Sequence, residues 1–238
     1  MPLVMLPGTL CDRRVFAPML ACLAQAQPAL AQNTSIIHAD MTSHANAHAL
    51  ARHLLDSAPP RFIAVGFSLG AIVALEMALI APDRVAGMVL LAGNARDVPV
   101  SDHASRRAMA AIAPDHLIRD TLWLRYTAPA RRHDDALRTL VMDMAMEAPL
   151  QTLARQTELA LTRSDKRPHL GTMTMPALVL GGAWDAVAPP ALQEELAKGL
   201  PRATWRMAPE AGHFLPLECP DFCASALAEW LASTFALS

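Results

Sequence analysis

A serine at position 68 stands between two glycines in Gly66-Phe67-Ser68-Leu69-Gly70, directly after the apolar run Arg61–Gly66 and directly before a helix-forming stretch. A serine on such a strand-to-helix turn is forced into a strained backbone, and glycines two residues before and after it remove side chains that would collide. Its hydroxyl then stands at the carboxyl end of a sheet, with a helix N-terminus aimed at any negative charge forming beside it. A hydroxyl is a poor nucleophile until a base takes its proton and a third group orients that base. Two downstream segments carry the needed types: Pro176–Asp185 reads as a strand whose turn presents Asp185, and Trp205–Phe214 as a strand whose loop presents His213 after Gly212. The order Ser68, Asp185, His213 is the chain order of one known triad arrangement. The competing readings are a serine that only caps its helix, a helix-entry carboxylate at Asp185, and Asp97, after the fourth strand, as the orienting acid.

Elements of matching type must position these residues, and the chain alternates short apolar runs with longer helix-period segments. Candidate strands are Leu3–Leu6, Ser35–His38, Arg61–Gly66, Val85–Leu91, Ala177–Gly181 and Thr204–Met207. Val15–Ala26, Ala45–Ser57, Leu69–Ile80, Ala191–Leu200 and Asp221–Ser233 read as helices. That pattern predicts an α/β fold: about six mostly parallel strands with helices on both faces. Residues 94–168 break the rhythm, with no strand-like run and with Pro114, Pro129 and Pro149 interrupting helical spacing. We therefore expect a core of residues 1–93 and 169–238, carrying a helical cap at 94–168 inserted after the fourth strand. Residues 96–168 hold 12 Lys and Arg against 10 Asp and Glu, in a chain with a net charge of −2, so the insertion is the more basic part.

The Gly66–Gly70 turn, the Asp185 turn and Ala211-Gly212-His213 resemble the α/β-hydrolase fold superfamily over nearly the whole chain. Gln156 and Arg163-Ser164-Asp165 resemble the cap exit of its carboxylesterase and meta-cleavage-hydrolase branch. The resemblance implies a serine hydrolase in which Ser68 attacks, His213 shuttles the proton and Asp185 orients His213. The loop Leu6–Asp12 lies where the family carries its His-Gly oxyanion loop, so the resemblance assigns the oxyanion to the backbone N–H groups of Leu69 and Thr9, with Leu10 as the alternative for the second. The chain departs from the family in opening on what would be the third strand and in carrying Pro7 where a histidine is usual. A serine at the elbow disfavours the haloalkane dehalogenases and epoxide hydrolases of this fold, which use aspartate there.

The expected substrate is a small-molecule carboxylic ester. A thioester or, by resemblance to the meta-cleavage branch, a carbon–carbon bond is the alternative, and a non-catalytic ligand-binding receptor on the same scaffold is the rival from another class. Leu10, Trp123, Met142, Met146 and Phe214 are expected to line the substrate pocket. No cofactor and no metal are expected: Cys219-x-x-x-Cys223 finds no second half with zinc-like spacing, and His44 and His48 lack a nearby carboxylate in sequence. A flavodoxin-like nucleotide binder would need a glycine-rich phosphate loop, and Pro7-Gly8-Thr9 is not one. The charge balance, with a pI near 6.5, offers no field for nucleic acid. The opening residues lack a basic start and an apolar run of membrane length, so a cytoplasmic protein without membrane contact is expected. Arg106-Arg107 and Arg131-Arg132 are expected to sit in water; a carboxylate or a carrier protein is the alternative partner for them.

Overall fold

The computed structural model describes residues 1–235, apart from the side chains at positions 120 and 121. Six strands form one sheet: β1 (Leu3–Leu6), β2 (Ile36–His38), β3 (Phe62–Phe67), β4 (Val85–Leu91), β5 (Ala177–Gly182) and β6 (Ala203–Ala208). Every ladder is parallel, and the strand order is β2-β1-β3-β4-β5-β6. The inner strands are apolar on both faces because both faces are covered. Leu3 and Met5 of β1 and Ile63, Val65 and Phe67 of β3 pack towards the helices Ala17–Ala26 and Pro220–Thr234. Val4, Leu6, Phe62 and Ala64 pack towards Ala47–Ser57 and Leu69–Ile80. These helices fall within two residues of their expected spans at nearly every end, and the strands within one.

The order reverses at β1: the chain moves outward to β2, then returns past β1 to β3 and continues to β6. Loops leaving β1 and β3 therefore diverge, and a crevice opens beyond the carboxyl ends of these two strands, where ligands bind in open parallel sheets. The loop after β1 carries Gly8 and Thr9, and the turn after β3 carries Ser68.

Between β4 and β5 the described residues form no strand. Helices His103–Ala110, Asp135–Glu147 and Thr152–Leu161 occupy this stretch with shorter helical turns between them. The first and third pair through Arg107 Nε and Glu158 Oε1 at 2.6 Å. The chain rejoins β5 through Lys166, whose N–H donates to Ala95 O at 2.7 Å. Its ammonium, 6% exposed with the whole residue, forms an ion pair with Glu76, 7% exposed, on the helix Leu69–Ile80. Burial opposes the Glu76 charge, but bonds from Lys166 and His48 outweigh it and hold that carboxyl below the usual range. His48 is thereby corrected: its Nδ1 lies 2.9 Å from Glu76 Oε1, so a carboxylate does reach it, from a helix 28 positions away that local spacing cannot reveal. His44 meets Ser43 Oγ and the ring of His53 instead. No helix among the described residues is long and apolar enough to cross a membrane. Residues 236–238 of the expected core lie outside the described residues.

Candidate active site

Ser68 follows β3 with φ 51° and ψ −111°, a sparsely populated conformation that costs about 1–3 kcal/mol and persists only where the surroundings enforce it. They do so here. Ser68 N–H donates to Leu91 O of β4 at 2.9 Å. A side chain at Gly70 would strike the backbone of Leu6 in β1, and one at Gly66 would strike the backbone of Gly70 and Ala71. Both glycines are thus required by close backbone approach, and the turn is clamped between its two neighbouring strands.

His213 lies on the loop after β6, and its backbone N–H donates to Tyr126 O at 2.6 Å. Its Nε2 is 2.9 Å from Ser68 Oγ and its Nδ1 2.9 Å from Asp185 Oδ2. Asp185, 3% exposed, also accepts from the N–H groups of Val187 and Ala188 at 2.8 Å each and from Gln193 Nε2 at 3.2 Å. A buried carboxylate with this many donors stays in place, and its bond to Nδ1 leaves Nε2 as the acceptor facing the hydroxyl. Asp97, the other sequence candidate for the acid, is exposed and makes no bond to His213.

Ser68 and His213 open into a cavity of about 200 Å³. From the sheet side it is lined by Thr9, Leu10, Phe67, Leu69 and Phe214, among others, and from the helical stretch by Met109, Leu117, Trp123, Tyr126 and Val141. Leu10, Trp123 and Phe214 thus lie where the sequence places them. Met142 and Met146 do not. The helix Asp135–Glu147 turns Leu137, Val141, Met144 and Ala145 inward, which leaves Met146 56% exposed and Met142 half-buried outside the cavity. Val141 stands in their place, because an apolar residue one position earlier points about 100° away around the helix.

The N–H groups of Leu69 and Thr9 have no acceptor among the described residues, and Gly8 brings the loop after β1 against the elbow: a Cβ there would lie 2.9 Å from the Phe67 ring and 3.3 Å from Ser68 Cβ. Leu10 is corrected as a donor. Its N–H is engaged by Gln156 Oε1 at 2.8 Å. Leu10 carries φ 54°, left-handed backbone that costs a β-carbon-bearing residue about 1–2 kcal/mol, and Gln156, 1% exposed, holds it there while donating to Met41 O at 3.2 Å.

Sequence reasoning missed three supports. Gln193 holds Asp185, Gln156 holds the loop after β1, and Glu218 Oε2 accepts from Gly212 N–H at 3.1 Å and Ala128 N–H at 2.8 Å, tying the His213 loop to the helical stretch. Each works through backbone groups or a distant partner, and only Gln156 had a signal, its position in the cap exit. Burial pushes the Glu218 carboxyl up, despite these two donors and that of Phe214. The two arginine pairs differ: Arg106 and Arg107 are exposed, and Arg131 and Arg132 are half-buried. Arg107 pairs with Glu158, Arg131 bonds Asp134 Oδ2 and Glu218 O at 2.7 Å each, and Arg106 lines the cavity.

A profile of the alpha/beta hydrolase family matches residues 3–226. The pimeloyl-[acyl-carrier protein] methyl ester esterase of Vibrio vulnificus is 30% identical over 185 residues, 73% of this chain and 72% of that protein. A Mycobacterium tuberculosis protein provisionally named non-heme bromoperoxidase BpoC is 28% identical over 187 residues, 75% of this chain and 70% of that one. Among solved structures, a thermophilic esterase of Thermogutta terrifontis shares the fold with a TM-score of 0.83 at 23% identity, over 98% of this chain and 90% of that one. The chain belongs to the alpha/beta hydrolase family.

Proposed function

We propose that the protein is a serine hydrolase of small-molecule carboxylic esters. The observation that carries this reading is the unbroken hydrogen-bonded line Ser68–His213–Asp185 opening into a largely apolar cavity. Ser68 Oγ attacks the ester carbonyl carbon as His213 Nε2 takes its proton, and the bond from Nδ1 to Asp185 stabilises the imidazolium. The oxyanion lies between the N–H groups of Leu69 and Thr9 at the N-terminus of the helix Leu69–Ile80. His213 then gives its proton to the departing alkoxide, leaving Ser68 acylated. Water attacks the acyl carbon, again yielding its proton to His213, and the acid leaves as Ser68 recovers its hydrogen.

An ester needs nothing beyond this machinery. Thioesters need the same steps with a better leaving group, and hydrolysis of a carbon–carbon bond would further need a proton delivered to carbon. A relative named for a carrier-protein-bound methyl ester supports the ester reading and keeps a carrier protein as the alternative macromolecular partner. We place the enzyme in the cytoplasm: its four thiols are unpaired, and burial with the nearby Asp12 charge pushes Cys11 up to about 12, leaving it an inert wall residue. The test is turnover of a series of short and medium methyl and nitrophenyl esters and matched thioesters by the wild type and by Ser68→Ala. Saturable turnover lost in the variant supports the reading, and absence of turnover across both series would favour a receptor.

A further inference from the structure

Several arginines of the helical stretch have a carboxylate. Arg107 has Glu158, Arg119 has Asp115, Arg131 has Asp134 and Arg167 has Asp165. Of those without one, Arg132 and Arg155 bond backbone carbonyls, Arg138 lies over the Trp123 ring, and, among the described residues, only Arg106 and Arg163 line the cavity that holds Ser68. Arg106 projects from the helix His103–Ala110 at the exposed edge of the cavity and has no hydrogen bond or ion pair among the described residues. Arg163 follows the helix Thr152–Leu161, which packs on the first, and its guanidinium uses one donor, Nε, on Arg96 O at 2.7 Å. Arg163 lines the cavity, and among the described residues no carboxylate contacts its guanidinium. Asp97 acts on it only from a distance. Burial, with the repulsion of Arg106 added, lowers Arg163 to about 10, far below an ordinary arginine.

Two neighbouring positive charges, one of them half-buried, raise each other's energy unless an anion joins them. A guanidinium fork is shaped to grip a carboxylate through two parallel bonds. Among the described residues the cavity lining holds no carboxylate; beside the two arginines it includes Met109, Ala110, Ala160 and Asn94. We propose that Arg106 and Arg163 form an anion subsite, so that the preferred substrate is an ester carrying a second, ionised carboxylate, such as a half-ester of a dicarboxylic acid. This rests on the hydrolase reading and adds the substrate's charge to it. The same chemistry could be offered by the phosphate of a phosphopantetheine-linked acyl group, and the test separates the two.

The experiment compares kcat/KM for monomethyl esters of linear dicarboxylic acids with kcat/KM for the dimethyl esters of equal length, and adds acyl thioesters of pantetheine with and without its phosphate. The wild type is expected to favour the half-ester by about tenfold or more at its best chain length, with the preference shrinking as salt rises. Arg163→Gln and Arg106→Gln should each move the ratio of the two constants towards one, and Arg163→Lys should leave an intermediate ratio because a point charge replaces the fork. Equal constants for half-ester and diester in the wild type would overturn the proposal while leaving the hydrolase intact. A preference seen only for the phosphorylated thioester would equally overturn it, assigning the pair to a phosphate. No turnover of any of these by the wild type would instead overturn the hydrolase reading itself, with the subsite along with it.

Discussion

On the sheet side of the cavity, Ser68 follows directly on β3 while Asp185 and His213 stand on the loops that leave β5 and β6, and backbone hydrogen bonds fix all three. On the helical side, the wall is made by side chains projecting from helices whose other faces are in water, as Met146 at 56% and Leu124 at 63% exposed demonstrate. A residue set by backbone at a strand end has one position, and that suits atoms that must meet within hydrogen-bond distance. A wall of side chains can change size and charge without moving those atoms. Polar contacts fasten the two sides together, among them Gln156 to Leu10 and Met41, Tyr126 O and Ala128 N–H to the His213 loop, Arg131 to Glu218 O, and Lys166 to Glu76.

The largest expected effect lies on the sheet side. Ser68→Ala and His213→Ala should each lower kcat by roughly 10⁴-fold or more, with Asp185→Asn close behind, and the double variant Ser68→Ala/His213→Ala should be little worse than either single one. Losses that multiply in steady-state kinetics would mean the two residues do not share a step. Asp97→Asn should cost far less than Asp185→Asn, since Asp97 makes no bond to His213.

At the junction, Glu76→Gln should destabilise the fold by about 3–5 kcal/mol in urea unfolding, because it leaves the buried Lys166 ammonium unpaired. The same carboxyl is held below its ordinary range, so its contribution is present above the ordinary carboxylate range and is lost as pH falls through the lower folded value. Acid unfolding of the wild type should therefore steepen there relative to Glu76→Gln. Gln156→Leu should act on rate more than on binding. With Leu10 N–H unpaired and the loop after β1 released, we expect kcat to fall roughly 10- to 100-fold at nearly unchanged KM. A lower Tm with kcat intact would make Gln156 a fastener of the helical stretch and not a positioning residue.

Most of the sheet side is legible in the sequence, since a strand-turn-helix around G-x-S-x-G and two strand-end residues depend on short-range pattern. Six strands and three site residues follow from that alone. The helical side is less so. Met142 and Met146 illustrate why: alternation within a helix says that some residues face in, but only packing decides that Val141 and not its neighbour does. Glu218 and Gln193 were invisible because their partners are backbone or lie in another segment, and no residue type or spacing marks a side chain whose role is to accept an N–H.

Smaller effects probe these supports. Burial raises the Glu218 carboxyl; the folded chain therefore holds that proton more tightly than the unfolded one, and stability from this group is fully present below the ordinary carboxylate range and falls as pH rises through the folded value. The Tm of wild type relative to Glu218→Gln should accordingly decline as pH rises above the ordinary carboxylate range, and a difference constant with pH would remove this assignment. Smallest of all, Met146→Ala should leave both stability and ester chain-length preference within about 0.5 kcal/mol of wild type, as for an exposed position, whereas Val141→Ala should shift chain-length preference.

The central claim is that Ser68 is a nucleophile armed by His213, and intact-mass analysis after treatment with a fluorophosphonate reads it directly. The wild type should gain a single phosphonyl adduct with loss of fluoride, peptide mapping should locate it on Ser68, and His213→Ala should label far more slowly. An unlabelled wild type, an adduct on another residue, or equal labelling of wild type and His213→Ala would contradict the account.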